Sequence, residues 1–255
     1  MSIIIKSDAE IAIMRKAGRI TAEVLKVLVA NVKPGIRTEE LDMIAEKEAK
    51  TLGAVPSFKG YKGYPASLCV SINDEIVHGI PGKKVLREGD IVSLDFGVIY
   101  QGFQGDAART VAVGNVTTQA QKLIEVTEGA LRAGIKKATK GNRLGDVTAA
   151  IEQYAETYGY SVVREYTGHG IGRNMHEDPQ IPNTTKSLLG MMGGTGPVLK
   201  KGMTLAIEPM VNIGGWETKV DDNRWTVRTK DGSLSAHFED TIAIMDGEPE
   251  VLTSA

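Results

Sequence analysis

The sequence has only one cysteine, Cys69, so no disulfide can close within the chain, and four histidines without a cysteine cluster exclude a zinc finger. Any metal site must then be built from carboxylates and imidazoles. Also lacking is an apolar run of the ~18 residues that a membrane helix requires, and the start, Met1-Ser2-Ile3-Ile4-Ile5-Lys6, has no long apolar core of a signal peptide. The expectation is a cytoplasmic protein with no membrane contact. An excess of charge of one sign is missing too: 30 Lys and Arg against 32 Asp and Glu leave a formal net charge of -2, which argues against a dedicated nucleic-acid binder. What is present is 255 residues, 42% of them hydrophobic and 24% charged, enough to bury a sizeable core.

The chain repeats itself. Ser7-Asp8-Ala9-Glu10 forms a capping box that predicts a helix running to about Ala30, followed by a turn at Lys33-Pro34-Gly35. A second helix is expected after Thr38, with Leu41, Ile44, Ala45, Ala49 and Leu52 at helical spacing, ending at Gly53. Shifted by 106 residues, Gly35, Arg37, Glu46, Ala49, Thr51 and Gly53 recur as Gly141, Arg143, Glu152, Ala155, Thr157 and Gly159. A second echo links the segment from Arg87 to Asp95 with that from Lys200 to Glu208, each placing an acid six residues past a glycine. Two such copies are expected to pack as one domain over residues 1–255, with internal halves of about 1–115 and 116–255 and acids converging where the halves meet.

Strands are expected over 66–72, 91–100, 103–113, 204–213, 226–230 and 236–245, giving a mixed α and β chain. Residues 184–197 are glycine-rich without sustained periodicity and read as a loop.

Asp95 and Asp106 flank a turn at Tyr100-Gln101. With a two-residue loop there, residues summing to 201 pair, setting Asp95 directly opposite Asp106; a bulge at Gly102 would offset that register. Adjacent like charges in a sheet require a cation, a shared proton or full solvation. Two aspartates alone would be read as solvated edge acids. Glu208, after Leu205-Ala206-Ile207, and Glu239, beside Phe238, shift the balance, because four acids in apolar strands are hard to explain as surface. Their four charges match two divalent cations bound through oxygen.

His169, in Gly168-His169-Gly170-Ile171-Gly172, is the best nitrogen ligand, presented by a tight glycine loop whose spacing is not that of a dinucleotide fingerprint. His78 and His176 border turns and are candidates to polarise a carbonyl or transfer a proton. His237 lies two residues before Glu239, on the same side of that strand, and either supports a ligand or is a partly buried packing residue, the second reading being preferred.

The set Asp95, Asp106, His169, Glu208 and Glu239, within Gly168-His169-Gly170-Ile171-Gly172 and Ala206-Ile207-Glu208-Pro209-Met210 and joined to the run from Asn73 to Pro81, resembles the methionine aminopeptidases over nearly the whole chain. The resemblance implies an α+β pita-bread fold, two pseudo-twofold halves around a central antiparallel sheet. It implies that two divalent ions (Co, Fe, Mn or Zn) are held by Asp95 on one, by Asp106 and Glu239 bridging both, and by His169 and Glu208 on the other. A bridging water or hydroxide would then attack the scissile carbonyl. In that family pattern Glu208 shuttles the proton, His176 stabilises the oxyanion and His78 contacts the scissile amide nitrogen or the following residue. The methionine pocket falls on Phe58, Tyr61, Tyr64, Cys69, Met175 and Trp225, with Cys69 as a wall thiol and not a nucleophile. The implied substrate is the N-terminal methionine of nascent peptides with a small second residue, handled by a monomer that visits the ribosome transiently. The stretch between Asn183 and Val198 is longer than the family pattern.

X-Pro peptidases share the five ligands but carry a large additional N-terminal domain, whereas about 90 residues precede Asp95 here. The absence of an N-terminal cysteine and histidine cluster points to the short bacterial type. A non-catalytic binding protein on the same fold and a structural calcium site are the remaining alternatives; the first conflicts with the intact ligand set and the second with a histidine ligand.

Overall fold

The structure, a computed structural model, describes residues 2–186 and 195–254. Helix α1 (Asp8–Asn31) opens on the expected capping box: Glu10 N donates to Ser7 Oγ at 3.3 Å and Ser7 N to Glu10 Oε2 at 3.0 Å. After α2 (Thr38–Thr51) come the short strand β1 (Val55–Pro56), then β2 (Cys69–Ile72) and β3 (Glu75–Val77). The long hairpin of β4 (Ile91–Tyr100) and β5 (Phe103–Ala112) leads into α3 (Thr118–Lys137) and α4 (Leu144–Thr157). Next are β6 (Ser161–Val162), β7 (Thr167–Gly170), β8 (Glu177–Pro182), β9 (Thr204–Ile207) and β10 (Met210–Asn212). The chain closes with β11 (Thr218–Val220), β12 (Val227–Thr229), β13 (Ser235–His237), β14 (Glu239–Ala243) and β15 (Glu250–Val251). Among the described residues no helix is long and apolar enough to cross a membrane.

Among the described residues, nine strands form one sheet in the order β1-β4-β5-β14-β9-β7-β8, with β2 on β4 and β15 on β14, every pairing antiparallel. Pairing of β5 with β14, Ala108 opposite Glu239, sets the first acid-bearing hairpin beside the last long strand. One buried apolar cluster joins α1 and α2 to β2 and β4, and another joins α3 and α4 to β9 and β14. Helix α1 approaches β5 so closely that a Cβ on Gly105 would lie 2.7 Å from Gly18 N, and Thr21 Oγ1 donates to Gly105 O at 3.0 Å. Only a residue without a side chain fits there, and that contact fixes the strand next to Asp106.

The 106-residue repeat is visible as structure. Helix α4 begins and ends 106 residues after α2, and Gly35 and Gly141 take φ of 93° and 94°.

Several sequence expectations need correction. Asp95 does not face Asp106. The loop is Gln101-Gly102, both at positive φ as a type I′ turn demands, so Asp95 pairs with Ala108 and Asp106 with Gly97. The shift is two residues, which preserves the face, and the two carboxylates are diagonal neighbours. The strand expected over 204–213 breaks at Glu208-Pro209, since proline has no N–H for the ladder; β10 then joins β13 and β6 in another sheet. The strand expected over 236–245 likewise divides at Phe238, starting at Ser235 and ending at Ala243. The 66–72 strand starts only at Cys69, because Ser67 N and Leu68 N donate to Asp42 Oδ1 instead of a strand. The strands over 103–113 and 226–230 shorten to Phe103–Ala112 and Val227–Thr229. Of the loop expected over 184–197, residues 187–194 lie outside the described residues, while Thr184 and Thr185 are tied to Glu152.

Candidate active site

The glycine run around His169 is a strand and not the expected tight loop. Strand β7 lies between β8 and β9, where a Cβ on Gly168 would meet Ala206 O at 2.5 Å and one on Gly170 would meet Asp178 O at 2.2 Å. The glycines let three backbones approach, and the ring is tethered to its own strand: His169 Nδ1 donates to Gly170 O at 2.9 Å. That bond leaves Nε2 as an acceptor, 3.5 Å from Glu208 Oε1. Two acceptors facing each other call for a proton or a cation between them.

Asp95 comes from β4, Asp106 from β5, Glu208 from the residue after β9, and Glu239 opens β14. One ligand atom from each of Asp106, His169 and Glu239 lies within 4.8 Å of the others, and the same holds for Glu208, His237 and Glu239. Asp95 Oδ1, Asp106 Oδ1 and Glu239 Oε1 are buried with no hydrogen-bond partner among the described residues.

Electrostatics explains why these atoms need company. Burial, together with the charge of Asp106, pushes Asp95 well above the carboxylate range. Burial does the same to Glu208 and Glu239, helped by the neighbouring acids, and raises Asp106. Burial also drives the imidazoles down, His169 and His237 to about 3 and His78 and His176 to about 4. Neutral imidazoles and reluctant carboxylates in one desolvated spot are the inverse of a salt-bridge network, and a bound cation reverses that logic. Oxygen and nitrogen donors of this kind, with orphaned buried atoms, fit divalent cations of hard or borderline character.

Above the acids is a cavity of about 250 Å³, and every residue expected for ligation, catalysis or the pocket lines it. Phe58, Tyr64, Cys69 and Met175 form a buried apolar cluster with Tyr61 and Trp225 packed against it. Cys69 stands opposite Asp95 in the β2–β4 pairing, where burial raises its thiol well above the usual value and keeps it protonated. His176 stacks on Tyr61, ring centroids 5.5 Å apart, with Tyr61 Oη and His176 Nδ1 hydrogen-bonded at 2.8 Å; its other neighbour is the His169 ring at 4.2 Å. His78, at φ 59°, meets Tyr166 and Trp225 edge-on.

Sequence reasoning missed one residue and left another open. Lys62, at the rim, lines the cavity and lowers the neighbouring His176 by its charge. Of the two readings of His237, the geometry favours support of a ligand over packing: its ring is buried, both ring nitrogens lack a hydrogen-bond partner among the described residues, and Nε2 is 3.6 Å from Glu208 Oε2. The signal available was its place two residues before Glu239.

Comparison with known proteins follows the same lines. The profile described as metallopeptidase family M24 matches residues 12–246. A methionine aminopeptidase of Clostridium acetobutylicum is 54% identical over 252 residues, 98% of each chain. The crystal structure of a methionine aminopeptidase from Thermotoga maritima superposes with a TM-score of 0.95 at 46% identity, covering 100% of both chains. A prolidase from Pyrococcus furiosus, 24% identical with a TM-score of 0.79, shares the fold, and this chain spans 66% of it. The nine-stranded antiparallel sheet with its helix pairs is thus the pita-bread fold, and the chain belongs to metallopeptidase family M24, among its methionine aminopeptidases.

Proposed function

We propose that this aminopeptidase removes the N-terminal methionine of nascent peptides with two divalent ions, Co, Fe, Mn or Zn, bound by Asp95, Asp106, His169, Glu208 and Glu239. The observation that carries it is the pair of ligand groups sharing Glu239, beside carboxylate oxygens that no protein group satisfies. Divalent ions there would lower the pKa of water to near neutrality and polarise the scissile carbonyl. The residues of the chain do the rest. Glu208, lining the cavity beside the other acids, accepts the proton of the attacking water and passes it to the leaving amine. With Tyr61 donating to Nδ1, His176 presents Nε2–H to the developing oxyanion. His78, held neutral by burial, faces the amide nitrogen or the following residue. Phe58, Tyr61, Tyr64, Cys69, Met175 and Trp225 enclose the thioether and exclude water around it. The rim favours a small second residue by steric exclusion.

The same reading takes residues 1–255 as one metallopeptidase domain, with halves of about 1–115 and 116–255, working as a cytoplasmic monomer that visits the ribosome transiently. The test is release of free methionine from Met-Ala-Ser and Met-Pro peptides by protein reconstituted with each of the four metals. Release that disappears in Asp106→Ala and spares Leu-Ala-Ser is the expected result. No release with any metal, at confirmed loading of two ions per chain, sinks the proposal.

A further inference from the structure

Residues 171–176 bring Met175 and His176 into the cleft between the end of β7 and the start of β8, outside any strand. What steadies them comes from the far end of the chain. Lys6 Nζ donates to Glu177 Oε2 at 2.5 Å, with both side chains only 3% exposed, and also to Ile4 O at 3.3 Å. The other Glu177 oxygen, Oε1, accepts from Asn174 N at 3.2 Å. The lysine stem passes directly over Gly172, where a Cβ would lie 2.5 Å from Lys6 Cε and 2.6 Å from Glu177 Oε1. Lys6 N is itself anchored, donating to Gly202 O at 2.7 Å in the turn before β9. On its other side the segment is held by β5: Gln104 N donates to Gly172 O at 2.8 Å and Gln104 Nε2 to Arg173 O at 3.3 Å.

An ion pair taken out of water adds little net stability but strongly favours one arrangement of the groups that carry it. We propose that Lys6 is a positioning residue: its buried pair with Glu177 clamps residues 171–176 so that Met175 closes the methionine wall and His176 faces the carboxylates. The inference rests on the function proposed above for this cleft. Neither residue touches substrate, and Lys6 acts entirely through the segment it pins.

Lys6→Met alone leaves a buried carboxylate without its partner and threatens folding, so the informative variant is Lys6→Met with Glu177→Gln. It carries no unpaired buried charge, and the amide oxygen still accepts from Asn174. With full-length, metal-reconstituted enzyme, kcat for Met-Ala-Ser is expected to fall by about tenfold to a hundredfold, the cost of a small misplacement of a reacting group. The preference for Met-Ala-Ser over Leu-Ala-Ser is expected to shrink, because Met175 no longer shapes the wall. Hydrogen exchange at residues 171–177 rises, while the melting temperature and metal affinity stay near those of the parent. Arg15→Met, which breaks the pair between Arg15 of α1 and Glu250 of β15, leaves all five readouts unchanged.

Parental kcat and preference in the double variant, with or without faster exchange, overturn the proposal, as does a change confined to melting temperature. If the parent enzyme releases no methionine, the functional reading fails separately, and unchanged exchange at 171–177 in the double variant then overturns the clamp.

Discussion

The β4–β5 hairpin and the β9–β14 pair are built alike, yet they bring different chemistry to the cleft. Gly89 N donates to Val113 O at 3.0 Å and Val113 N to Asp90 O at 2.8 Å; in the other pair Gly202 N donates to Ile244 O at 3.0 Å and Ile244 N to Met203 O at 2.8 Å. The strands after those turns carry Asp95 and Glu208 at matching places. Asp95 faces Ala108. Continuing the β9–β14 register from Ile207 opposite Asp240 by one residue sets Glu208 opposite Glu239. Alanine in one half thus corresponds to a carboxylate in the other, and by the same count Asp106 corresponds to His237. The backbone keeps the symmetry, and the side chains break it. One lesson is that the backbone scaffold and the donor set are separable: hydrogen bonds at the turns fix where a side chain arrives, and the residue type decides which donor atoms it brings.

Substitutions at matched positions sharpen that contrast. Asp106→Asn, removing a carboxylate from one of the two ligand groups proposed above, is expected to abolish binding of two ions per chain, read by titration calorimetry and metal analysis. His237→Ala, at the matching place in the other half, is expected to weaken metal affinity by about 10–100-fold, the effect typical of a residue supporting a ligand. Equal losses at the two positions would mean that His237 ligates as strongly as Asp106 and that the halves are chemically more alike than described. The next effect compares the two sides of the cleft. His176→Ala is expected to lower kcat by about 10²–10³-fold, as for loss of one oxyanion donor, with little change in KM. Tyr61→Phe, which leaves the ring stacked and removes only the hydroxyl on Nδ1, costs much less; the reverse order would move the oxyanion donor to the tyrosine.

The smallest effect concerns the repeated helices. Glu152 receives Thr184 Oγ1, Thr185 N and Thr185 Oγ1 with its side chain 9% exposed, whereas its counterpart Glu46 pairs with Lys50 and Lys59 near solvent. Glu152→Ala is therefore expected to cost about 1–3 kcal/mol in urea denaturation, because the buried Thr184 hydroxyl loses its acceptor. Glu46→Ala should cost under about 1 kcal/mol, as exposed ion pairs contribute little.

How far these features were legible in the sequence depends on the range of the interaction behind them. The capping box of α1 and the repeat of α2 in α4 are local, and identities at a constant offset exposed them. Asp95, Asp106, Glu208 and Glu239 stood out because acids interrupt otherwise apolar strands, a signal that needs no knowledge of the partner strand. The register was harder to read: whether Tyr100-Gln101 or Gln101-Gly102 closes the hairpin depends on positive φ at two adjacent residues. Breaks at Pro209 and Phe238 follow from a change of sheet partner, which strand periodicity does not record. His237 stayed between support of a ligand and packing because alternation tells which side a ring faces but not whether acids or hydrocarbons await it. The Lys6–Glu177 pair spans 171 residues and leaves no local trace.

The place of β14 between β5 and β9 bears on the order in which the molecule is made. Synthesis runs from the first residue to the last, and the strand that joins the two parts of the large sheet is its last long one. Asp95, Asp106, His169 and Glu208 all emerge earlier, but Glu239, common to both ligand groups, arrives only with that strand. A growing or truncated chain that stops short of β14 therefore lacks both the link between the two parts of the sheet and the carboxylate common to the two groups, and the site is complete only once the sheet is closed.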